Sequence, residues 1–199
     1  MNEVDKNLGK RDLLVTTAFG LFYTYGIHAV GINQILQESG IAKKTLYHHF
    51  DSKEALIAAV VAYRDQKFYD WLSVRVNLSK PGKAGIMAIF SALDDWINNR
   101  VDSMTDFHGC FFINACAEYS DPQSPVHKQS AEHKQRIRML ISKQVEMLML
   151  AEETANFLID SVCLLKEGAI VQAHVSGDLT AAEKAAKTAA KLIESVVKQ

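Results

Sequence analysis

Between Lys43 and Lys53 the chain reads KKTLYHHFDSK, a run in which ammonium, hydroxyl, phenol and imidazole groups surround two apolar positions. If Lys43 to His49 is a helix, Leu46 and Phe50 stand at i and i+4 and turn inward, which leaves Lys43, Lys44, Thr45, Tyr47, His48 and His49 toward solvent. That set consists mainly of hydrogen-bond donors. Lysine ammonium groups suit guanine edges or phosphates, and a rigid phenol such as Tyr47 suits a phosphate oxygen. Lys53, at the start of the next helix, adds its charge to the positive end of that helix's dipole. The chemistry implied is binding to a phosphate backbone and its base edges, with no bond made or broken.

Other chemistry finds less support. The three cysteines, Cys110, Cys116 and Cys163, are odd in number and lack CxxC spacing, so neither a disulfide framework nor a cysteine zinc site is expected. Phe111, Phe112 and Ile113 predict buried, inert thiols at Cys110 and Cys116, with His108 the one basic neighbour; a redox-responsive role is the alternative. His48 and His49 are consecutive and cannot share one metal on a helix, so DNA contact is their expected use; His127 and His133 lack the i, i+4 spacing of a metal pair and a solvated face accounts for them, with a metal-responsive regulator as the alternative. No metal site, cofactor or catalytic residue is expected, because no nucleophile with a positioned base and no phosphate cradle forms a recognisable motif. Phe90, Trp96, Phe107, Phe111, Phe112, Tyr119 and Phe157 fall at helical spacing and read as core, with a ligand cavity as the other possibility. A helical protein-interaction adaptor would use the same apolar helices but has no need of the Lys43-to-Lys53 pattern.

The elements that must position these donors are helical, since apolar residues recur at spacings of three and four and no segment alternates like a strand. A first helix over Lys10 to Tyr25 lines up Leu14, Ala18, Leu21, Phe22 and Tyr25, and Gly26 ends it with a positive φ. A short helix from Ile32 to Glu38 buries Ile35 and Leu36, Gly40 turns the chain, and Lys43 to His49 follows. Asp51 is placed to cap the next helix, with Glu54 three residues on completing a capping box. Further on, a helix begins near Pro81 and runs toward Arg100, and a helix around Cys110 to Tyr119 is separated by Ser120 to His127 from a long one through Ile137 to Leu148. Two long helices close the chain, one over Glu152 to His174 with Gly177 beyond it, the other starting at Thr180 with capping-box spacing to Glu183. Ala169, Ala173, Ala182, Ala186 and Ala190 permit close approach between these two helices or between them and their copies in a second chain.

Two short helices around Gly40, the second carrying the donors, have the layout of a helix-turn-helix, in which the second helix enters the major groove. The run IAKKTLYHHFDSKEAL resembles the signature of the TetR/AcrR family of bacterial transcription regulators, through Gly40, the Leu46-Tyr47 pair, Phe50 and Lys53. The segment LKEGAIVQAHVSGD and the overall length extend the likeness. The resemblance implies a homodimer on palindromic double-stranded DNA, most members being repressors released by a small molecule held in the helical body. One departure stands out: where the family usually has threonine or serine capping the second helix and touching phosphate, this chain has Gly31, so that contact falls to a backbone N–H or to Asn33.

Length and composition agree with this layout. The 199 residues, 48% hydrophobic and 23% charged, suit a globular chain with a real core. The expected fold is all-α: a three-helix helix-turn-helix head over 1–55 and a larger helical effector-binding and dimerisation body over 56–199 that pairs through its last two helices. With no signal-peptide pattern at the N-terminus and no bilayer-length apolar stretch, a cytoplasmic location without membrane contact is expected. The formal net charge is −1, and within 1–56 Lys6, Lys10, Arg11, Lys43, Lys44 and Lys53 are balanced by Glu3, Asp5, Asp12, Glu38, Asp51 and Glu54. Attraction to nucleic acid therefore rests on where the cations stand, not on their number.

Overall fold

The computed structural model describes residues 9–197; Glu3, Asp5 and Lys6 of the charge count lie outside the described residues. Among the described residues there are nine helices and no strand: α1 (Lys10–Tyr25), α2 (Ile32–Ser39), α3 (Lys43–His49), α4 (Lys53–Asn77), α5 (Lys83–Ile97), α6 (Phe111–Glu118), α7 (Pro125–Glu146), α8 (Glu152–Ser176) and α9 (Ala181–Val197). None of them is long and apolar enough to cross a membrane. The all-α expectation holds. The chain divides into two compact units, one formed by the residues up to Lys67 with Phe111–His133, the other by Phe68–Cys110 with the residues from Lys134 onward.

In the first unit α1 packs on α2 and α3, and its buried face is Leu14, Val15, Ala18, Phe19, Phe22 and Tyr23. Leu21 and Tyr25, expected to point inward, do not: Leu21 is half-buried and Tyr25 is exposed. The reason is the long-range partner. Phe111 of α6 sets its ring edge-on to Phe19 at 5.5 Å and to Tyr23 at 6.2 Å, which draws that side of α1 into the core. The buried Arg64 of α4 lies over the same two rings, 5.3 Å and 5.4 Å from their centroids.

His133 also departs from expectation. It is buried, stacks on Phe112 at 3.7 Å and has its Nδ1 2.7 Å from Asp65, so a solvated face does not describe it. His127 is half-buried, with Nδ1 3.1 Å from the Tyr119 carbonyl.

In the second unit α5, α8 and α9 pack on one another around Ile86, Phe90, Leu93, Val162, Ile170 and Ile193. Pro81 lies in a turn ahead of α5, not within it, and Gly82 at φ 93 starts the helix. Gly85 is needed for a close approach, because a Cβ there would sit 2.1 Å from Oε1 of Gln144. That amide oxygen instead accepts the Gly82 N–H at 3.2 Å. At the end of α8, Gly177 adopts φ 67 and its N–H caps Gln172. The capping box expected at Thr180 does not form: the Thr180 hydroxyl donates to Asp178 at 2.7 Å. Asp178, which also receives Lys184 and the Thr180 N–H, is held down at about 2 by those bonds. Ala169, Ala173 and Ala182 are buried within this one chain, so intramolecular packing uses them.

The second unit also contains a buried cation. Lys166 is 2% exposed and its Nζ lies 2.6 Å from Oε1 of Glu167, whose Oε2 receives Lys134 at 2.7 Å. Lys134 in turn stands 3.3 Å from the Cys110 sulfur. Cys110 is buried as expected, but its neighbour is a lysine 24 residues away in sequence, which no local reading supplies. Burial alone would raise the Glu167 carboxyl, yet Lys166 and Lys134 outweigh it and bring the group from 4.5 to about 2.

A depressed carboxyl contributes stability that is complete above its unfolded pKa and is lost as pH falls through the folded one. The wild-type unfolding midpoint is therefore expected to drop between pH 4.5 and about 2 in part through this group, with Glu167→Gln flattening that limb. At pH 7 the same substitution should cost about 3 kcal/mol, since it strips a buried lysine of its counterion. Urea titrations of both proteins at several pH values check this.

Candidate nucleic-acid interface

The candidate interface is built on α3, whose position is fixed from below. Ser39 accepts the Ile41 N–H on its hydroxyl at 3.3 Å, and Gly40 takes the left-handed conformation at φ 66, which reverses the chain between α2 and α3. Ala42 begins α3, accepting Thr45 and Leu46 amides at 2.9 and 3.2 Å on its carbonyl, and Phe50 ends it by donating to the Leu46 carbonyl at 2.9 Å. Leu46 is fully buried and Phe50 nearly so, as their spacing requires. Arg11 lies over the Phe50 ring at 5.2 Å, covering that anchor from α1.

With those two side chains inward, Lys43, Lys44, Tyr47, His48 and His49 are exposed and Thr45 is half-buried. Tyr47 keeps 44% of its surface in water. The His48 and His49 rings stand 5.3 Å apart at 62°, and among the described residues no group of three or more histidine, cysteine or acidic side chains could hold a metal.

The start of α2 is open. Gly31 is its N-cap in an extended conformation, φ −88 and ψ 159, and no side chain caps it. The carbonyl of Gly31 accepts Gln34 and Ile35, so the amides of Ile32 and Asn33 are the ones without an intrahelical acceptor. Asn33 is exposed beside them. A Cβ on Gly31 would meet nothing within 4 Å, so neither backbone conformation nor crowding demands glycine there.

Lys53 sits differently from its neighbours on α3. It is the first residue of α4, half-buried, and its ammonium donates to the Ile27 carbonyl at 2.9 Å, with the Phe22 ring 6.0 Å away. The residue expected to cap α4, Asp51, does not; Ser52 does, accepting the Ala55 N–H at 3.2 Å. Phe50 leaves α3 in an extended conformation, and α4 begins one residue later than a cap at Asp51 requires. Glu54 is held below its usual range by its own backbone N–H and by the Ser52 hydroxyl.

Sequence reasoning missed one residue of this region altogether. Glu118, at the end of α6, accepts the Ile27 and His28 amides at 2.7 and 2.6 Å. The contact spans 90 residues or more of sequence, and nothing local to either segment announces it.

A short outward-facing helix set by a glycine turn onto a three-helix core is a helix-turn-helix DNA-binding unit. Residues 14–60, from α1 into α4, match the family described as bacterial regulatory proteins, tetR family. Over 54 residues the chain is 46% identical to the HTH-type transcriptional regulator YxaF of Bacillus subtilis, 27% of this chain and 28% of that protein. Over 63 residues it is 40% identical to the HTH-type transcriptional repressor KstR2 of Mycolicibacterium smegmatis, 32% of this chain and 29% of that one. These matches thus span under a third of either relative's length.

The fold as a whole matches SCO4454, a TetR-family transcriptional regulator from Streptomyces coelicolor, with a TM-score of 0.84 and 26% identity, covering 94% of this chain and 96% of that one. Residues 14–60 thus carry a tetR-family helix-turn-helix, and the fold of the chain is that of a TetR-family transcriptional regulator.

Burial separates the two kinds of residue on α3. Leu46→Ala should destabilise the protein by about 2 to 5 kcal/mol, whereas Tyr47→Ala should stay within about 0.5 kcal/mol of wild type. Urea unfolding followed by circular dichroism distinguishes them.

Proposed function

We propose that the protein is a repressor that binds a palindromic operator as a homodimer and is released by a small-molecule effector taken up in its helical body. In this reading residues 1–55 are the DNA-binding head and 56–199 the effector-binding and dimerisation body. The observation that carries it is the exposed donor set on α3, held outward by the burial of Leu46 and Phe50. Lys43 and Lys44 meet guanine edges or phosphate, and Thr45, His48 and His49 lie along the groove. Tyr47 and Lys53 bind phosphates, and Asn33 with the open amides of α2 holds another. Lys53 can serve in this way while keeping its bond to Ile27, since an ammonium carries three donors.

Dimerisation through the last two helices is supported by a stripe on α8. Phe157, Leu164, Val171 and Val175 are exposed, and with Ser161 and Gly168 they follow steps of four and three residues, the pattern of a helix that packs on a partner helix. An open groove of 490 Å³ runs beside them, bounded on α9 by Lys184, Thr188 and Leu192. A dimer places two α3 helices on half-sites about 34 Å apart or a multiple of that, so a small change in their separation, caused by an effector, breaks both contacts together. Repression as the sign of the response is supported by the name of the KstR2 relative.

A second reading of the signal has its own support. The Lys134 ammonium 3.3 Å from the Cys110 sulfur is the electrostatic setting in which oxidant-sensing thiols occur. Loss of DNA binding on peroxide treatment, restored by dithiothreitol and absent in Cys110→Ser, would make the effector an oxidant.

The deciding experiment is selection of bound fragments from the source genome by purified protein at moderate salt. Wild type should enrich a palindrome whose affinity falls steeply with salt, and the Tyr47→Ala, Lys53→Ala double variant should enrich nothing. Equal enrichment by the variant would overturn the assignment of α3. Leu164→Glu should give monomers in sedimentation and a large loss of affinity for the palindrome. Gly31→Thr, which the backbone admits, should tighten binding about fivefold by adding one hydroxyl-to-phosphate bond, measured by fluorescence anisotropy.

A further inference from the structure

We propose that Glu118 is a positioning residue for DNA binding: its carboxylate, with the Lys53 ammonium, grips the turn between α1 and α2 and thereby places the phosphate-binding start of α2. The proposal rests on the reading of α2 and α3 as the DNA-contacting helices. Its geometry is particular. Each oxygen of the carboxylate takes one backbone amide, Oε1 that of Ile27 at 2.7 Å and Oε2 that of His28 at 2.6 Å, short distances typical of charge-assisted bonds. On the other side of the same residue, Lys53 donates to the Ile27 carbonyl at 2.9 Å. One peptide residue is thus held between an anion on its N–H and a cation on its C=O.

The chain is shaped to admit this grip. Gly26 stands at φ 90 and ψ 154, a region open essentially to glycine alone, and a Cβ there would lie 3.2 Å from Oε1 of Glu118. His28 closes the outer side, its Nδ1 3.4 Å from Oε2 and its ring 4.9 Å from that of Tyr119, the residue after Glu118. The Ile27 and Val30 side chains are buried, so the turn has one seat, and three residues after His28 comes Gly31, the open N-cap of α2.

The effect is placement more than burial. His28 is exposed and water could satisfy its amide, so the second bond contributes chiefly direction. Because Glu118 ends α6, a shift of that helix by about 1 Å would stretch both bonds beyond hydrogen-bonding range and free the turn.

Three variants and one control test this. Glu118→Gln keeps a single carbonyl acceptor, Glu118→Asp falls a methylene short, Glu118→Ala removes the grip, and Tyr47→Ala removes a DNA contact alone. Hydrogen exchange by NMR on the free protein should show the Ile27 and His28 amides exchanging at least tenfold faster in Glu118→Ala, with those of Leu14, Ile35 and Leu46 unchanged. Affinity for the selected operator should fall about threefold in Gln and thirtyfold or more in Asp and Ala, with the slope of log affinity against log salt unchanged, because the α2 contact that is displaced is made by neutral amides and no cation leaves the interface. Lys43→Met should lower that slope by about one if Lys43 meets phosphate.

Wild-type affinity in Glu118→Ala, or wild-type exchange at both amides, overturns the proposal, as does equal affinity loss in Gln and Ala. If Tyr47→Ala binds DNA like wild type, it is the assignment of α3 that fails, and the amide exchange still decides whether the grip exists.

Discussion

A helix of seven residues cannot hold itself in water, because too few backbone bonds repay its nucleation. α3 is such a helix, and it exists because Leu46 and Phe50 are buried at its base. Much of the first unit can be understood as the support for those two side chains. α1 supplies the apolar wall and lays Arg11 across Phe50, α2 and the Gly40 turn set the angle of approach, and Ser52 starts α4 as soon as the chain has left Phe50. The donors on the other side of α3 are exposed as a consequence, since a helix with one side inside must present the rest. In this sense the binding surface is the remainder of a packing problem.

What the sequence made legible follows from the range of the interactions involved. The bounds of α1 and α3 were readable because a glycine, a turn and apolar spacing act within a few residues of the ends they set. The exposure of Tyr47 and the burial of Leu46 were readable for the same reason. The inward face of α1 was misplaced by Leu21 and Tyr25 because Phe111, some 90 residues on, decides which side is core. His133, Lys134 beside Cys110, and Glu118 on the Ile27 turn are likewise meetings of distant segments that periodicity does not encode. The cap of α4, expected at Asp51, was a nearer miss: Ser52, the next residue and also of a type that caps well, holds the Ala55 amide instead.

The second unit resolves a different ambiguity. Alanines on α8 and α9 suit close packing equally well inside one chain or between two, and sequence offered no way to divide them. Ala169, Ala173 and Ala182 turn out to be occupied within the chain, and the face of α8 left outside carries larger side chains at intervals of four and three. The buried Lys166 is tolerated because the Glu167 carboxylate lies against it, an anion it shares with Lys134. A core assembled this way is held in part by charge balance, and protonation is able to disturb it.

The near-neutral charge of the first 56 residues has a kinetic consequence. Cations and acids there cancel one for one, so this part of the chain has little long-range pull on a polyanion, and any attraction develops only at close range. Encounters with arbitrary chromosomal sequence should then be brief, and fewer molecules would be detained at the millions of competing sites a genome offers. A scarce DNA-binding protein of such charge would spend its time free in solution or on its specific site, trading speed of arrival for a low background of idle binding.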